Sequence, residues 1–373
     1  MVAASAALLV PGMRAACQSA EDLQRWGTAC LDQIQTDFKI PGSALYADDW
    51  RTEVDKKPRP AFNWGCGVLV PALNAAVGAD KPRYNGELTG YIKALDVYLT
   101  DGPNKIPAYD VLPGPKPFDR YYDDNMWMDM ALLDAYQITG DRSILKRADN
   151  LIKFIMSGED KLLGGGIYWR EQEKTSKNTC SNGPAVVCLV RHYQITHKQE
   201  FLTAAKRIYS WTKSHLQDTD GLYWDNIKLD GGIEKTKWTY NTALMIRAAC
   251  LLSNITGDKS YLKEAERVAA AAEAQWVSKD TGAIEDGGQF AHLLCEAFLV
   301  LGQTNGDPHW AKSVTRALGF VHDQCQDSAG HYGDRWNQPV TATQQKVSLL
   351  SQASVARAFL NTAQVLKQTQ NRL

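Results

Sequence analysis

The chain holds little that would recruit a metal, a nucleic acid or a membrane. Its seven histidines are scattered, with no HExxH run and no His-rich cluster, so the sequence offers a metal no ligand set. The eight cysteines (Cys17, Cys30, Cys66, Cys180, Cys188, Cys250, Cys295 and Cys325) show neither CxxC pairing nor zinc spacing. Cys188, Cys250 and Cys295 fall in apolar helical runs and read as buried thiols, while Cys17 and Cys30 could bridge in an exported protein. Neither sign of charge is in excess. Lys+Arg number 41 against 42 Asp+Glu, which argues against nucleic acid or another polyanion as partner. Past the N-terminus no run of about 18 apolar residues occurs, so no membrane span is expected. The start lacks the basic n-region of a secretory signal. Val2 to Val10 and the small residues ending at Ala16 nevertheless have the shape of its apolar core and cleavage end. We therefore expect an export leader over residues 1–17 and a secreted or periplasmic protein. Arg14 stands where a lipobox would need Leu, which argues against a lipid anchor at Cys17.

What is abundant is aromatic. Eleven Trp and fifteen Tyr include several in polar, Gly-rich segments where core packing alone would not put them. With 44% hydrophobic and 22% charged residues, the chain can bury a sizeable core.

The chain also repeats itself. Ala135–Asp141 (AYQITGD), Arg191–His197 (RHYQITH), Leu252–Asp258 (LSNITGD) and, less closely, Leu301–Asp307 (LGQTNGD) each end an apolar helix and begin another. The second helices are expected over Leu145–Ile155, Phe201–His215, Tyr261–Ala274 and Trp310–His322. Ala75–Asp80 is a fainter copy of the turn. A second series of Gly-led turns keeps step with the first: Gly166-Ile167-Tyr168-Trp169, Gly221-Leu222-Tyr223-Trp224, Gly282-Ala283-Ile284 and Gly330-His331-Tyr332. The unit is about 50 to 60 residues, two helices with one loop of each kind. About six units fit between Gln18 and Leu373. Each must bury its apolar stripes on its neighbours, and irregular aromatic loops along one edge favour a closed ring over an open solenoid. We expect an all-α (α/α)6 barrel, one domain over 18–373, with the Gly-aromatic loops rimming a cavity.

The run Tyr121-Tyr122-Asp123-Asp124-Asn125-Met126-Trp127 opens a helix on that same rim. Two carboxylates flanking a bond are the minimal equipment for cleaving a glycoside, and flat aromatic surface suits the C–H faces of a sugar. For an Asp-Asp pair taken alone, helix capping is the commoner role. Successive helical residues diverge by roughly 100°, so both acids reach one cleft only at a helix start. Trp127 and Met130 read as core on helical spacing. Asp129 reads as a polar group near the pair, Asn182-Gly183-Pro184 as a helix start with Pro in its first turn. Trp169 and Trp238 suit a sugar platform and rim packing equally. Asn254-Ile255-Thr256 has the form of a glycosylation sequon inside a repeated turn, where the turn reading prevails.

Four stretches in order carry a family resemblance: Tyr121–Trp127, Gly164–Arg170 (GGGIYWR), Lys177–Pro184 (KNTCSNGP) and Trp238–Asn241 (WTYN). Together they resemble glycoside hydrolase family 76, the endo-α-1,6-mannanases, over nearly the whole chain and most clearly over Phe118–Ala270. The resemblance implies an (α/α)6 barrel with Asp123 as nucleophile and Asp124 as general acid/base, retaining configuration at an α-mannosidic linkage without metal or cofactor. It also implies a substrate groove near Trp169, Trp238, Tyr240 and Asn241, to which we add Trp64, Tyr122, Asn125, Tyr168 and Asn182 as candidate contacts. The expected partner is α-mannan polysaccharide or oligosaccharide, with the protein a monomer. Thr242-Ala243 after Asn241 and the Asn63-Trp64-Gly65-Cys66 stretch depart from the family pattern, which bears on subsite preference. Two alternatives stand beside this reading. One is a mannan transglycosylase of the same fold; the other is a glycan-binding toroid whose carboxylates only cap.

Overall fold

The computed structural model describes residues 18–51, 58–114 and 116–370. The expected leader and Cys17 lie outside them, and Cys30 is a buried free thiol. Twelve α-helices among the described residues fall into two kinds. Six are buried nearly all round: α2 (Asn63–Ala79), α4 (Tyr122–Thr139), α6 (Thr179–Thr196), α8 (Thr239–Thr256), α10 (Gly288–Asn305) and α12 (Leu349–Gln370). The others are α1 (Ala20–Asp37), α3 (Lys81–Ala94), α5 (Arg142–Ser157), α7 (Gln199–Leu216), α9 (Lys259–Trp276) and α11 (Pro308–Gln324). They bury a single stripe, as α5 does with Ile144, Ala148, Leu151, Ile152 and Ile155. The sequence carries this difference: α4, Asp129 apart, and α6 are apolar or small across their middles, whereas α5 alternates apolar with charged residues at helical period.

A helix without a polar face needs neighbours on every side. The inner helices supply them to one another: α2 packs on α4, then α4 on α6, α6 on α8, α8 on α10, α10 on α12, and α12 back on α2. The ring is closed. Each outer helix covers its inner partner, with α1 closing over α12. The (α/α)6 barrel expected from the repeats is the observed fold.

Local chemistry builds the hairpin turns. Gly140, Gly257 and Gly306 end α4, α8 and α10 in left-handed conformation, and Asp141, Asp258 and Asp307 then cap α5, α9 and α11. His197 takes the left-handed position at the end of α6, with φ of 57°, a conformation that costs a side chain about 1–2 kcal/mol. The sequon residue Asn254 reaches Thr304 on the next inner helix, as a turn residue.

The other loops do more than connect. Each inner helix begins with a backbone N–H that has no partner in its own helix, and a loop of the following unit supplies one. Val111 O accepts from Asn63 N, Trp169 O from Tyr122 N and Asp225 O from Thr179 N at 3.0, 2.9 and 2.8 Å. Asp334 O accepts from Gly288 N and Asp48 O from Leu349 N at 2.7 and 2.9 Å. At α8 the Asp286 carboxylate takes the place of a carbonyl, 3.1 Å from Thr239 N. The inner helices therefore run parallel, their N-termini held at one rim by this circular lattice.

A second layer pins the loops in return, using the fourth residue of an inner helix. Asn125 Oδ1 accepts from Tyr109 N at 2.7 Å while its amide donates to Tyr109 O and Tyr121 O. Asn182 repeats the pattern on Ile167 N, Ile167 O and Asn178 O. Thr242 and Gln352 hold Tyr223 N and Tyr332 N the same way. Gly166, first of the Gly-aromatic loop before α6, has φ of 82° and lies so close to Trp211 that a Cβ would sit 2.6 Å from its ring. Short antiparallel strands join neighbouring loops: Ser176–Asn178 pairs with Asn226–Lys228, and Asp49–Arg51 with Lys346–Ser348, tying the first loop to the last.

Candidate active site

The lattice decides what Asp123 and Asp124 are free to do. The N-cap of α4 is Tyr121, which makes no side-chain capping bond. Trp169 O satisfies the first N–H, so neither acid is needed as a cap. They occupy the second and third helical positions, where the backbone still turns into the rim and both keep partial solvent access.

Their surroundings differ. Asp123 Oδ2 accepts the indole N–H of Trp169 at 3.0 Å and the thiol of Cys180 at 3.3 Å, and Oδ1 accepts Asp124 N at 3.0 Å. No donor among the described residues reaches the Asp124 carboxyl. Burial pushes Asp123 up to about 6, with those three donors holding it down. Burial, then the charge of Asp123 and then that of Asp119 raise Asp124 well above the ordinary carboxylate range. The acidic neighbour that matters is thus Asp119. Asp129 instead lies fully buried behind the pair, 3.0 Å from His192 Nε2. The pair is therefore unequal: its donors favour the charge on Asp123, and Asp124, raised by burial and like charge, is the one that keeps its proton the more tightly.

Aromatic surface flanks the pair. Trp169 is 40% exposed, with Tyr121 packed edge-on at 5.0 Å. Across the rim Tyr240, Trp238 and Trp64 converge on Phe290, with ring centroids 4.5, 5.2 and 5.7 Å from it. Trp64, Trp169, Trp238 and Tyr240 thus lie together on the rim that carries the acids. Phe290 was not singled out from the sequence, although the repeat phase gives it away: it is the third residue of α10, as Asp124 is of α4. Asp225 was missed for a similar reason. It caps α6 as Trp169 caps α4, and Asn241 Nδ2 bonds its carboxylate at 3.1 Å.

Four expected sugar contacts are instead parts of the frame. Asn125 and Asn182 are fully buried, with their amides engaged by the loop backbones described above. Tyr122 is buried against Phe154 at 4.7 Å, and Tyr168 is buried with its hydroxyl on Asp160 at 2.7 Å. Asn241 is also buried and acts on Asp225. Trp127 and Met130 are core, as expected. The Asn182-Gly183-Pro184 run does not start a helix: α6 begins at Thr179, because the Asp225 carbonyl captures its N–H there and leaves Pro184 inside the second turn. A concavity of about 730 Å³ between α5 and α7, lined by Ile152, Met156, Leu189 and Phe201 among others, includes neither carboxylate. The acids lie on the open rim.

A closed (α/α)6 barrel with paired, unequally solvated carboxyls beside exposed aromatic rings has the makings of a glycoside-cleaving enzyme. Residues 58–372 match the model of glycosyl hydrolase family 76, and the chain belongs to that family. It is similar to the family 76 α-mannanase structure BT2949 of Bacteroides thetaiotaomicron. Identity is 30%, the TM-score is 0.88, and 94% of this chain and 97% of that one are covered. It is likewise similar, at 25% identity and TM-score 0.79 over 92% of this chain and 100% of the other, to an α-1,6-mannanase of Salegentibacter. That structure is of an inactive variant with two consecutive Asp replaced by Asn, in complex with α-1,6-mannotriose. The mannan endo-1,6-alpha-mannosidase DCW1 of Candida glabrata is 32% identical over 110 residues, 26% of this chain and 24% of that protein. A meiotically up-regulated protein of Schizosaccharomyces pombe is 25% identical over 224 residues, 55% of this chain and 49% of its own. The matched regions thus span half or less of these curated relatives.

Proposed function

We propose that this glycosidase is an endo-acting α-1,6-mannanase that works by double displacement with retention, Asp123 as nucleophile and Asp124 as general acid/base. The observation that carries the reading is the asymmetry of the pair: among the described residues three donors converge on Asp123 and none on Asp124. Asp123, kept anionic, attacks the anomeric carbon as the glycosidic C–O bond breaks, and the Asp124 proton goes to the leaving oxygen. Asp124, now a carboxylate, takes a proton from water as that water attacks the anomeric carbon of the glycosyl ester, which frees Asp123 and restores the acid. The exposed rings of Trp169 and Trp238 supply stacking surface beside the reacting bond. The consecutive Asp pair replaced in the inactive Salegentibacter enzyme, and its α-1,6-mannotriose, support both the residue assignment and the substrate. An open rim suits internal cleavage of a polymer, and an export leader would bring the enzyme to such a polymer.

The test is digestion of unbranched α-1,6-mannan by wild type, Asp123→Asn and Asp124→Asn, with proton NMR following the new reducing ends. Oligosaccharides that appear first as the α-anomer, and in neither variant, are expected. First appearance of the β-anomer would replace displacement by inversion. Intact polymer with wild type would reject the substrate, and longer products with excess acceptor would move the reading to transglycosylation.

A further inference from the structure

Asp123 sits at the end of a side-chain chain that crosses three inner helices. The second residues of α8, α6 and α4 are Tyr240, Cys180 and Asp123, and the ring packs these helices side by side. The Tyr240 hydroxyl lies beside the Cys180 thiol, close enough for each to bear on the other's proton, and that thiol lies 3.3 Å from Asp123 Oδ2. Cys180 is 2% exposed, which keeps water from taking its place. Its S–H donates to that carboxylate. The Tyr240 ring is itself fixed by stacking on Phe290 at 4.5 Å and 17°.

We propose that Cys180 is a positioning residue: held by Tyr240, it donates to Asp123 Oδ2 and, with Trp169 from the other side, sets the orientation and charge of the nucleophile. The inference deepens the function proposed above and rests on Asp123 being that nucleophile. A thiol is a weak donor. It steadies the carboxylate while withdrawing less of its electron density than a hydroxyl would, and a weak bond is also the easier one to give up when Oδ2 or Oδ1 becomes part of an ester. Buried deep and with its own proton made hard to lose, chiefly by burial, Cys180 is a donor rather than a second nucleophile. The groups facing Asp123 and its donor are Asp124 and Tyr121 on its own strand-to-helix entry, Asp119 before it, Tyr240 on α8, and Asp225 on the loop that caps α6. Of these, Asp119 acts on Asp124 and Asp225 on Cys180, whereas Asp123 is set by burial and its donors, so the loss of a donor is read directly.

The experiment needs no substrate at first. The ¹³Cγ signal of Asp123, assigned by its loss in Asp123→Asn, is titrated in Asp-labelled wild type, Cys180→Ala, Cys180→Ser and Tyr240→Phe. Removal of the thiol in Cys180→Ala is expected to raise the Asp123 midpoint by about half to one pH unit, less than the roughly one to two units of an ordinary hydrogen bond to a charged group because a thiol donates weakly. Cys180→Ser should restore or lower it. Tyr240→Phe should raise it in the wild-type background and have no effect on top of Cys180→Ala. With mannan as substrate, the acid limb of kcat/KM should move with the NMR midpoint, with kcat falling several-fold in Cys180→Ala and KM holding. An unmoved NMR midpoint in folded Cys180→Ala overturns the proposal. A moved midpoint in a protein that leaves mannan intact would keep the proposal and reject the substrate instead.

Discussion

Asn125→Ala separates the frame from the groove. The sequence alone makes Asn125, next to the acidic pair, a sugar contact; the structure spends all its polar atoms on Tyr109 N, Tyr109 O and Tyr121 O. Three internal hydrogen bonds at about 1 kcal/mol each make the loss about 3 kcal/mol, and stranding Tyr109 N–H in a buried site adds to it. Unfolding entropy near 2.1 cal/mol/K per residue gives a domain of this length roughly 0.8 kcal/mol/K, so Tm should fall by about 4 °C. Because the Tyr109 loop abuts the start of α4, kcat should fall as well, while KM changes little. Differential scanning calorimetry with steady-state kinetics on α-1,6-mannan tests both halves. Asn182→Ala, with the same three-bond pattern on Ile167 and Asn178, should lose a similar amount. An unchanged Tm together with a KM raised tenfold or more would refute the reasoning and return Asn125 to the substrate.

Other consequences follow from the same contacts. Trp169→Phe keeps a ring but removes the N–H donated to Asp123 at 3.0 Å; the acid limb of kcat/KM, set by a group near 6, should rise by up to about one pH unit, or about 1.4 kcal/mol. A limb that stays put would show that Trp169 does not touch the charge of Asp123. Asp124→Asn should stabilise the protein by about 1 kcal/mol at pH 8 and much less at pH 4. The sign follows from its raised acidity constant: the folded state holds the proton more tightly than the unfolded one, so stability falls as pH climbs from the unfolded value of 3.8 toward the folded one, and the amide is spared that fall. Denaturant melts at the two pH values decide it, and equal stability at both would refute it. His197→Gly, relieving the left-handed residue at the end of α6, should raise stability by about 0.5–1 kcal/mol in urea unfolding, with no effect on turnover.

The sequence by itself determined the architecture, because the signals for it are local. A left-handed Gly followed by an Asp cap ends one helix and starts another wherever it occurs, so the repeats at Gly140, Gly257 and Gly306 were legible as hairpins. The contrast between helices apolar all round and helices apolar on one stripe is likewise a property of a single segment, and it forces an inner ring inside an outer one. The Asp pair stood out for the same reason, two acids among aromatics at a helix start. The roles of the surrounding residues were decided only in three dimensions. An Asn beside an acid has the same donors and acceptors whether a sugar or a backbone comes to meet them, and only the folding of the preceding loop back over the helix start brings Tyr109 to Asn125 and Ile167 to Asn182. Cys180, Asp225 and Phe290 carry no local mark, since their partners arrive from other repeats: Asp123 from α4, Asn241 and Tyr240 from α8. The difference between Asp123 and Asp124 is tertiary too. The two share one residue type and adjoining positions, and what distinguishes them is that folding aims the donors of Trp169 and Cys180 at the first and leaves the second with burial and like charge.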